Sequence, residues 1–589
     1  MRRTSGRYHR SMTDRPREAP LAAFAWHPEP ELIWYADEAA SREAIAALGA
    51  AAWEVALDWL YEEGFRRPTG ETDFGEARRA FFDAPRDAAA AVVGPGPAPA
   101  APMPADAVLA EFRARLLDRQ FSTVHRRSFS YFAPPPLLMS VVGELLAQVT
   151  DQCVDVWHSG PSAALVEEET VRWLCDLVGF GPGSFGVLTS GGVMANTMAM
   201  AVARDVHLAR LVAPGAGHAR PQPDTPRPQP DTPRPQPDGP RPHPPPPRAS
   251  ALAGARVYAS DQAHFSIARA LDLLGFEPGA LRLIPSDDRF RLRAAPVAAA
   301  IAEDRAAGLR PFAIAAVAGS TNTGSVDRIG GLADLAVTED LWLHVDAAYG
   351  GGALLSRRDA ARVPHLDRAD SVTIDPHKWF FQPFDIGALL VRRGSDLRTT
   401  FDRDAEYYRT PGHAEEPLSF YRLSMEGSRR FRALKLWLSW KHLGTTGLGR
   451  LVERTDDLAA HLARRISESD DFDALPSEPE LSVVCFRHLP GGRSATAGID
   501  EGTLDTYQDR LQRTLEASGE GWVSTTRLHG RTWLRAGIVN YLSTEDDADG
   551  LLDSLRRIGA DVARSMGLAV AGHDRSAVGG GHDRSADEG

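Results

Sequence analysis

Short apolar runs bounded by helical stretches alternate through the middle of the chain. FGVLTS precedes VMANTMAMAVARDVHLARLV, ARVYAS precedes HFSIARALDLLG, and FAIAAVAG, LWLHVDAA, SVTID and ALLVRR follow. Apolar runs of strand length interleaved with helix-periodic segments predict a mostly parallel sheet covered by helices on both faces. Ligands of such sheets sit at the carboxyl ends of the strands. Upstream, EAIAALGAAAWEVALDWLYEEGF, within Leu32 to Phe65, has helical spacing, and the linker Pro95 to Pro104 (PGPAPAAPMP) interrupts the pattern. Beyond Arg430, FRALKLWLSWKHLG predicts a long helix, and LSVVCFRHL and TWLRAGIVNYL predict two strands with a helical stretch between them, a smaller α+β domain. The expected division is a helical segment over 1–130 with a disordered start, a large α/β domain over 131–429, a small domain over 430–568, and a disordered tail over 569–589.

Two segments stand outside this pattern. From Arg220 the chain reads RPQPDTP, RPQPDTP, RPQPDGP and RPHPPPP, with almost nothing apolar to bury. It is expected to form an extended, disordered insert over 212–250, a tolerated surface expansion more than a docking site. The tail repeats GHDRSA in a polar context, and its His573 and His582 make a poor metal site.

Composition narrows the function classes. The 589 residues are 43% hydrophobic and 25% charged, ordinary for a globular protein, and the formal net charge of −13 argues against nucleic acid as the main partner. Three cysteines, Cys153, Cys175 and Cys485, give neither a disulfide framework nor paired ligand spacing, so no metal site is expected. No apolar run approaches the ~20 residues that cross a bilayer. The basic start MRRTSGRYHR is followed by polar SMTDRPREAP, which argues against a secretory signal. The expectation is a cytoplasmic enzyme acting on a small molecule.

Four motifs fall at predicted strand ends: TSGG (Thr189 to Gly192), SDQAH (Ser260 to His264), HVDAAYGG (His344 to Gly351) and DPHKW (Asp375 to Trp379). A glycine pair between strand and helix lets backbone N–H groups hold a phosphate, although most such turns are only turns. Asp346 ends an apolar strand and would project into the crevice at the sheet edge, unless it serves as a cap or turn residue. Lys378, set before Trp379, Phe380 and Phe381, could have its amine activated by desolvation, or be a snorkelling surface lysine.

Together the motifs resemble those of the pyridoxal-phosphate-dependent group II amino-acid decarboxylases, which include aromatic-L-amino-acid decarboxylase and glutamate decarboxylase. The resemblance covers roughly Phe129 to Leu542 apart from the insert. It implies a fold-type I, transferase-like α/β architecture and pyridoxal 5'-phosphate (PLP) as cofactor. It also implies that Lys378 forms the Schiff base, Asp346 pairs with the pyridine nitrogen, and His264 stacks on the ring. Thr321 would lie near the phenolic edge, Ala348 on the opposite ring face, and His377 near substrate and cofactor. Gly191, Gly192 and Val193 would hold the phosphate. Val193 stands where relatives often carry a hydroxyl, which gives more of the holding to backbone amides and to Asn196. Asp375 would repel a phosphate unless it points elsewhere or meets a cation.

The resemblance further implies a tyrosine proton donor on a mobile loop, here within Arg403 to Glu426, which holds Tyr407, Tyr408, Phe420 and Tyr421. Alignment back from SRRFRALKLW puts Phe420 or Tyr421 at the position, and Tyr421 is the favoured reading. The expected reaction is decarboxylation of an L-amino acid, with an aromatic substrate suggested by Tyr131, Phe132 and Trp157. Glutamate or diaminobutyrate as substrate, an aldehyde synthase, and an aminotransferase using Arg535 remain alternatives, as does a non-catalytic scaffold. A homodimer is expected, because Ile33, Trp34, Trp53, Leu57, Trp59, Leu60 and Phe65 form too large an apolar surface for water.

Overall fold

A computed structural model describes residues 38–69, 76, 98, 103–212, 252–403 and 418–568. The proline-rich repeat, the C-terminal tail, Tyr407 and Tyr408 lie outside these residues, as does most of the Pro95 to Pro104 linker. The chain forms two compact units, Met1–His125 and Arg126–Gly589. In the first, helices α1 (Glu38–Asp58) and α2 (Ala105–Arg115) take up the predicted helical segment.

The second unit opens with α3 (Leu138–Thr150) and α4 (Pro161–Val178). The alternation then runs β1 (Phe185–Thr189), α5 (Gly192–Val212), β2 (Ala255–Ser260), α6 (Ser266–Leu273), β3 (Leu281–Ile284), α7 (Ala294–Ala306), β4 (Arg310–Val317) and α8 (Ile329–Thr338). It closes with β5 (Trp342–Asp346), β6 (Ser371–Ile374) and β7 (Gly387–Val391). The seven strands lie in the order β1-β7-β6-β5-β4-β2-β3. Strands β3, β2, β4, β5 and β6 are mutually parallel, and β7 is antiparallel to both its neighbours. Two reversals cancel, so β1 runs in the same direction as β6. All the motif-bearing strands therefore end on one edge of the sheet. Every residue of β1, β5, β6 and β7 is buried, as a sheet covered on both faces requires.

The sequence pattern missed β3, LRLI, because its partly exposed residues break the apolar run expected of a buried strand. The small domain is built on α9 (Ala433–Ser467), which is interrupted at Gly444, where φ is 65°. Its sheet has four strands where two were expected. The order is β10-β11-β9-β8, all antiparallel, from β8 (Phe472–Ala474), β9 (Val483–His488), β10 (Ser524–Leu528) and β11 (Arg531–Gly537). Helices α10 (Glu501–Ser518) and α11 (Glu545–Ser565) complete it. Phe472, Phe486, Leu511, Leu534 and Leu555 belong to a second hydrophobic core under this sheet.

One buried ion pair fixes the strand that leads to the glycine turn. Arg429 donates to Glu167 on α4, to the Leu188 carbonyl at 2.7 Å and to the Val154 carbonyl at 3.0 Å. Glu167 accepts from the Leu188 amide at 3.0 Å. A buried pair bonded in this way registers β1 against α4, because either charge alone would be costly to bury.

Candidate active site

The sheet edge gathers the motifs into one cavity of about 390 Å³. Gly191, Gly192 and Val193 line it after β1, His264 after β2, Thr321 after β4, Asp346 and Ala348 at the end of β5, and His377 and Lys378 after β6. A larger cleft of about 850 Å³, lined by Arg328, His365, Arg464 and Glu478 among others, contains none of these residues. Convergence of chemistry, not volume, selects the site.

The glycine turn is a close approach. Gly191 has φ of +152°, and a Cβ on Gly192 would come within 2.8 Å of Asp375 Oδ2. Helix α5 begins at Gly192, so its first-turn N–H groups lack intrahelical acceptors and carry the positive end of a 21-residue helix dipole.

Asp346 is buried, with Oδ1 accepting from the Ala348 amide at 3.1 Å and Oδ2 accepting from Asn196 Nδ2 at 2.8 Å. Asn196 also donates to Ser266 Oγ at 2.8 Å and accepts from His344 Nε2 at 3.0 Å. Its amide is thus committed to Asp346, Ser266 and His344, which corrects its expected role on the phosphate.

Asp375 resolves the other doubtful position. Lys378 Nζ lies 3.1 Å from Asp375 Oδ2, and His377 Nε2 lies 3.6 Å from it. The carboxylate is balanced by the site's own lysine, while Asp375 Oδ1 is buried without a hydrogen-bond partner. Burial lowers the pKa of both His264 and His377. His377 Nδ1 accepts from the Ile386 amide at 3.3 Å, so its neutral form carries the proton on Nε2, toward Asp375.

Other expectations are redistributed. Phe420 is fully buried against Phe185, under the Arg429 guanidinium, and cannot reach a substrate. Tyr421 is not among the residues lining this chain's cavity, and its amide donates to the Asp155 carbonyl at 3.2 Å. Arg535 is buried, donates to the carbonyls of Thr321 and Ser130, and lies over the Phe132 ring. That is a structural role. Phe132 stacks on Tyr349 at 4.1 Å, and neither Tyr131 nor Trp157 lines the cavity. The aromatic rings that do are Phe265, Phe384 and Tyr349, the first two following SDQAH and DPHKW closely enough to have been found by extending those motifs.

Comparison with known proteins agrees with this geometry. The pyridoxal-dependent decarboxylase conserved domain matches residues 243–489. An aromatic-L-amino-acid decarboxylase of Bacillus atrophaeus is 31% identical over 459 residues, covering 78% of this chain and 86% of the relative. The chain belongs to the pyridoxal-dependent decarboxylase family. Family members are PLP-dependent amino-acid decarboxylases, a group of lyases, and the chain is an enzyme of that kind. An L-2,4-diaminobutyrate decarboxylase of Rhizobium meliloti (strain 1021) is 30% identical over 456 residues, 76% of this chain and 81% of the relative. The structure of Oryza sativa TDC with PLP and tryptamine has the same fold, with a TM-score of 0.75 at 23% identity over 88% of this chain and 98% of that one.

The cavity of this family member fits PLP. It offers a helix N-terminus for an anionic phosphate, a buried carboxylate for a ring nitrogen, an amine for an aldehyde, and an imidazole with a methyl group for the ring faces. Among the described residues, no helix is long and apolar enough to cross a membrane.

Proposed function

We propose that this decarboxylase acts on an aromatic L-amino acid, releasing CO₂ and the amine, with Lys378 as the residue that carries the cofactor. The observation that carries the reading is the convergence of Lys378, Asp346, His264 and the Gly191–Gly192 turn on one cavity. When bound, PLP supplies an electron-poor ring that accepts the electron pair left at Cα as the carboxylate departs. Asp346 would hold positive charge at the ring nitrogen, and His264 and Ala348 would hold the ring between them. Asp375 orients the Lys378 amine, with Oδ2 at 3.1 Å from Nζ. His377, neutral and adjacent, lies 3.6 Å from the same carboxylate oxygen and helps to hold it in place. An aromatic substrate is favoured by the rings of Phe265 and Phe384, 54% and 59% exposed yet lining the cavity, which offer apolar contact to an incoming side chain. In a panel of common L-amino acids, CO₂ and amine release should be fastest with tryptophan, tyrosine or phenylalanine. Faster turnover of glutamate or diaminobutyrate would overturn the substrate reading, and aldehyde in place of amine would overturn the reaction.

We further propose that the enzyme works as a C2 homodimer. Along α3, Leu138, Leu145 and Val149 are 66%, 62% and 61% exposed, and Val142 and Leu146 share their face. A contiguous apolar face of this kind calls for a partner, and a second copy supplies one. Trp53, Tyr61 and Phe65 in the N-terminal unit are also exposed and add to the surface to be covered. Sedimentation should give twice the monomer mass, and Leu145→Glu should shift it toward monomer with loss of activity. A fully active monomer would contradict the proposal.

A further inference from the structure

Behind the cavity lies a buried hydrogen-bond relay whose donors can be assigned from chemistry alone. The Trp342 indole N–H can only donate, and it meets Ser371 Oγ at 2.9 Å. Ser371 is therefore free to donate its own proton to His344 Nδ1, 2.9 Å away. At the other side of that ring, Nε2 faces the Asn196 carbonyl oxygen at 3.0 Å, which can only accept. The Asn196 contact requires the neutral tautomer protonated on Nε2, and the Ser371 hydroxyl can serve it by donating to Nδ1. Burial agrees, pushing the His344 pKa down to about 4. With its oxygen held by His344, Asn196 must turn its NH₂ group forward. One N–H goes to Asp346 Oδ2 and the other to Ser266 Oγ, each at 2.8 Å. Ser266, having accepted, donates its hydroxyl proton to His264 Nδ1 at 2.8 Å. His264 therefore presents Nε2–H to the cavity.

We infer that Asn196 is a positioning residue that sets two cofactor-facing groups at once, the Asp346 carboxylate and the His264 tautomer, and that His344 and Ser371 hold its amide in the required orientation. The inference rests on the proposed roles of Asp346 and His264. All five relay residues are essentially excluded from water: Asn196, Ser266, Ser371 and His344 are at most 1% exposed and Trp342 3%. An amide flipped by loss of His344 would put oxygen against the Asp346 carboxylate, a repulsion that burial makes more costly. Asn196 lines the cavity, but its amide is spent on Asp346, Ser266 and His344, so in this scheme it is a positioning residue and not a catalytic one.

The test compares Asn196→Ala, His344→Leu, His344→Gln and Asp346→Asn in the full-length chain. The readouts are PLP affinity of the apoenzyme by absorbance titration, kcat at saturating PLP, and the apoenzyme melting temperature. A hydrogen bond to a buried charge corresponds to about 10- to 100-fold in an equilibrium constant, so Asn196→Ala and His344→Leu should lose that much PLP affinity. They should also lose kcat, while melting within a few degrees of the parent. His344→Gln should recover most of the affinity, because a carboxamide can donate to Asn196 and accept from Ser371. A lowered melting temperature with parental PLP affinity would mean a structural role and overturn the inference. If Asp346→Asn itself behaves like the parent, the underlying assignment of Asp346 fails. If only Asp346→Asn is impaired, the relay inference alone fails. Should Asn196→Ala or His344→Leu be insoluble, Ser371→Ala removes a single hydroxyl at the far end of the relay. It should weaken PLP binding severalfold, and parental affinity there would overturn the inference.

Discussion

Lys378→Ala should leave no measurable decarboxylation, a loss on the order of 10³-fold or more, because it removes the amine proposed to hold the cofactor rather than one of several supporting contacts. The sequence makes this test unusually clean. The chain contains only three lysines, Lys378, Lys435 and Lys441. Lys435 is buried, donates to the carbonyls of Pro383 and Asp385 at 2.9 and 3.0 Å, and pairs with Glu144. Lys441 lies over the rings of Trp173 and Trp437. Neither lines the cavity, so neither can stand in. Borohydride treatment of the parent enzyme with PLP should attach the cofactor to a single peptide, the one containing Lys378, and the alanine variant should show no such adduct. Attachment at Lys435 or Lys441 in the parent, or full turnover in the variant, would end the assignment. Asp375 loses its nearest cation in this variant, and unchanged circular dichroism would separate that electrostatic cost from loss of the fold.

The legible part of this protein is the part where one residue type at one strand end carries the meaning. Asp346 and Lys378 follow apolar runs that could only be buried strands, and the parallel topology brings those ends together without further information from side chains. Less legible were the residues whose roles depend on partners distant in sequence. Asn196 sits one turn into α5, where a phosphate contact was a reasonable reading, and only the three-dimensional approach of Asp346 and His344, 150 and 148 positions away, reassigns it. His344 was visible in the HVDAAYGG motif but had no partner in view. Phe420 illustrates a different limit. Two adjacent aromatics before a helix cannot be sorted by pattern into core and loop, and packing against Phe185 and Arg429 decides it. Strands β3, β8 and β10 escaped for a third reason. They are edge strands or partly exposed, so their polar residues dilute the apolar signal.

Asp346→Asn should keep the fold and bind PLP less tightly, yet lose kcat on the order of 10²- to 10³-fold, the scale on which preorganised charge acts in a buried site. The side chains are nearly the same shape, so the loss would report charge and hydrogen-bond direction, not volume. In the parent, both carboxylate oxygens accept, one from the Ala348 amide at 3.1 Å and one from Asn196 at 2.8 Å. An amide at position 346 has one oxygen and one NH₂, so one of these contacts becomes a donor facing a donor. Asn196 cannot relieve the clash by rotating, because its oxygen is held by His344 and its second N–H by Ser266. On the proposed role of Asp346, the neutral side chain would also no longer hold positive charge at the ring nitrogen of bound PLP, which would weaken its capacity to accept electrons. Two measurements separate these effects. The kcat at saturating PLP reads the charge, and the apoenzyme's PLP affinity reads the distorted contacts. A normal kcat with weakened affinity would make Asp346 a structural anchor, whereas a large loss of kcat with affinity reduced by no more than about tenfold would make it the group that sustains the chemistry.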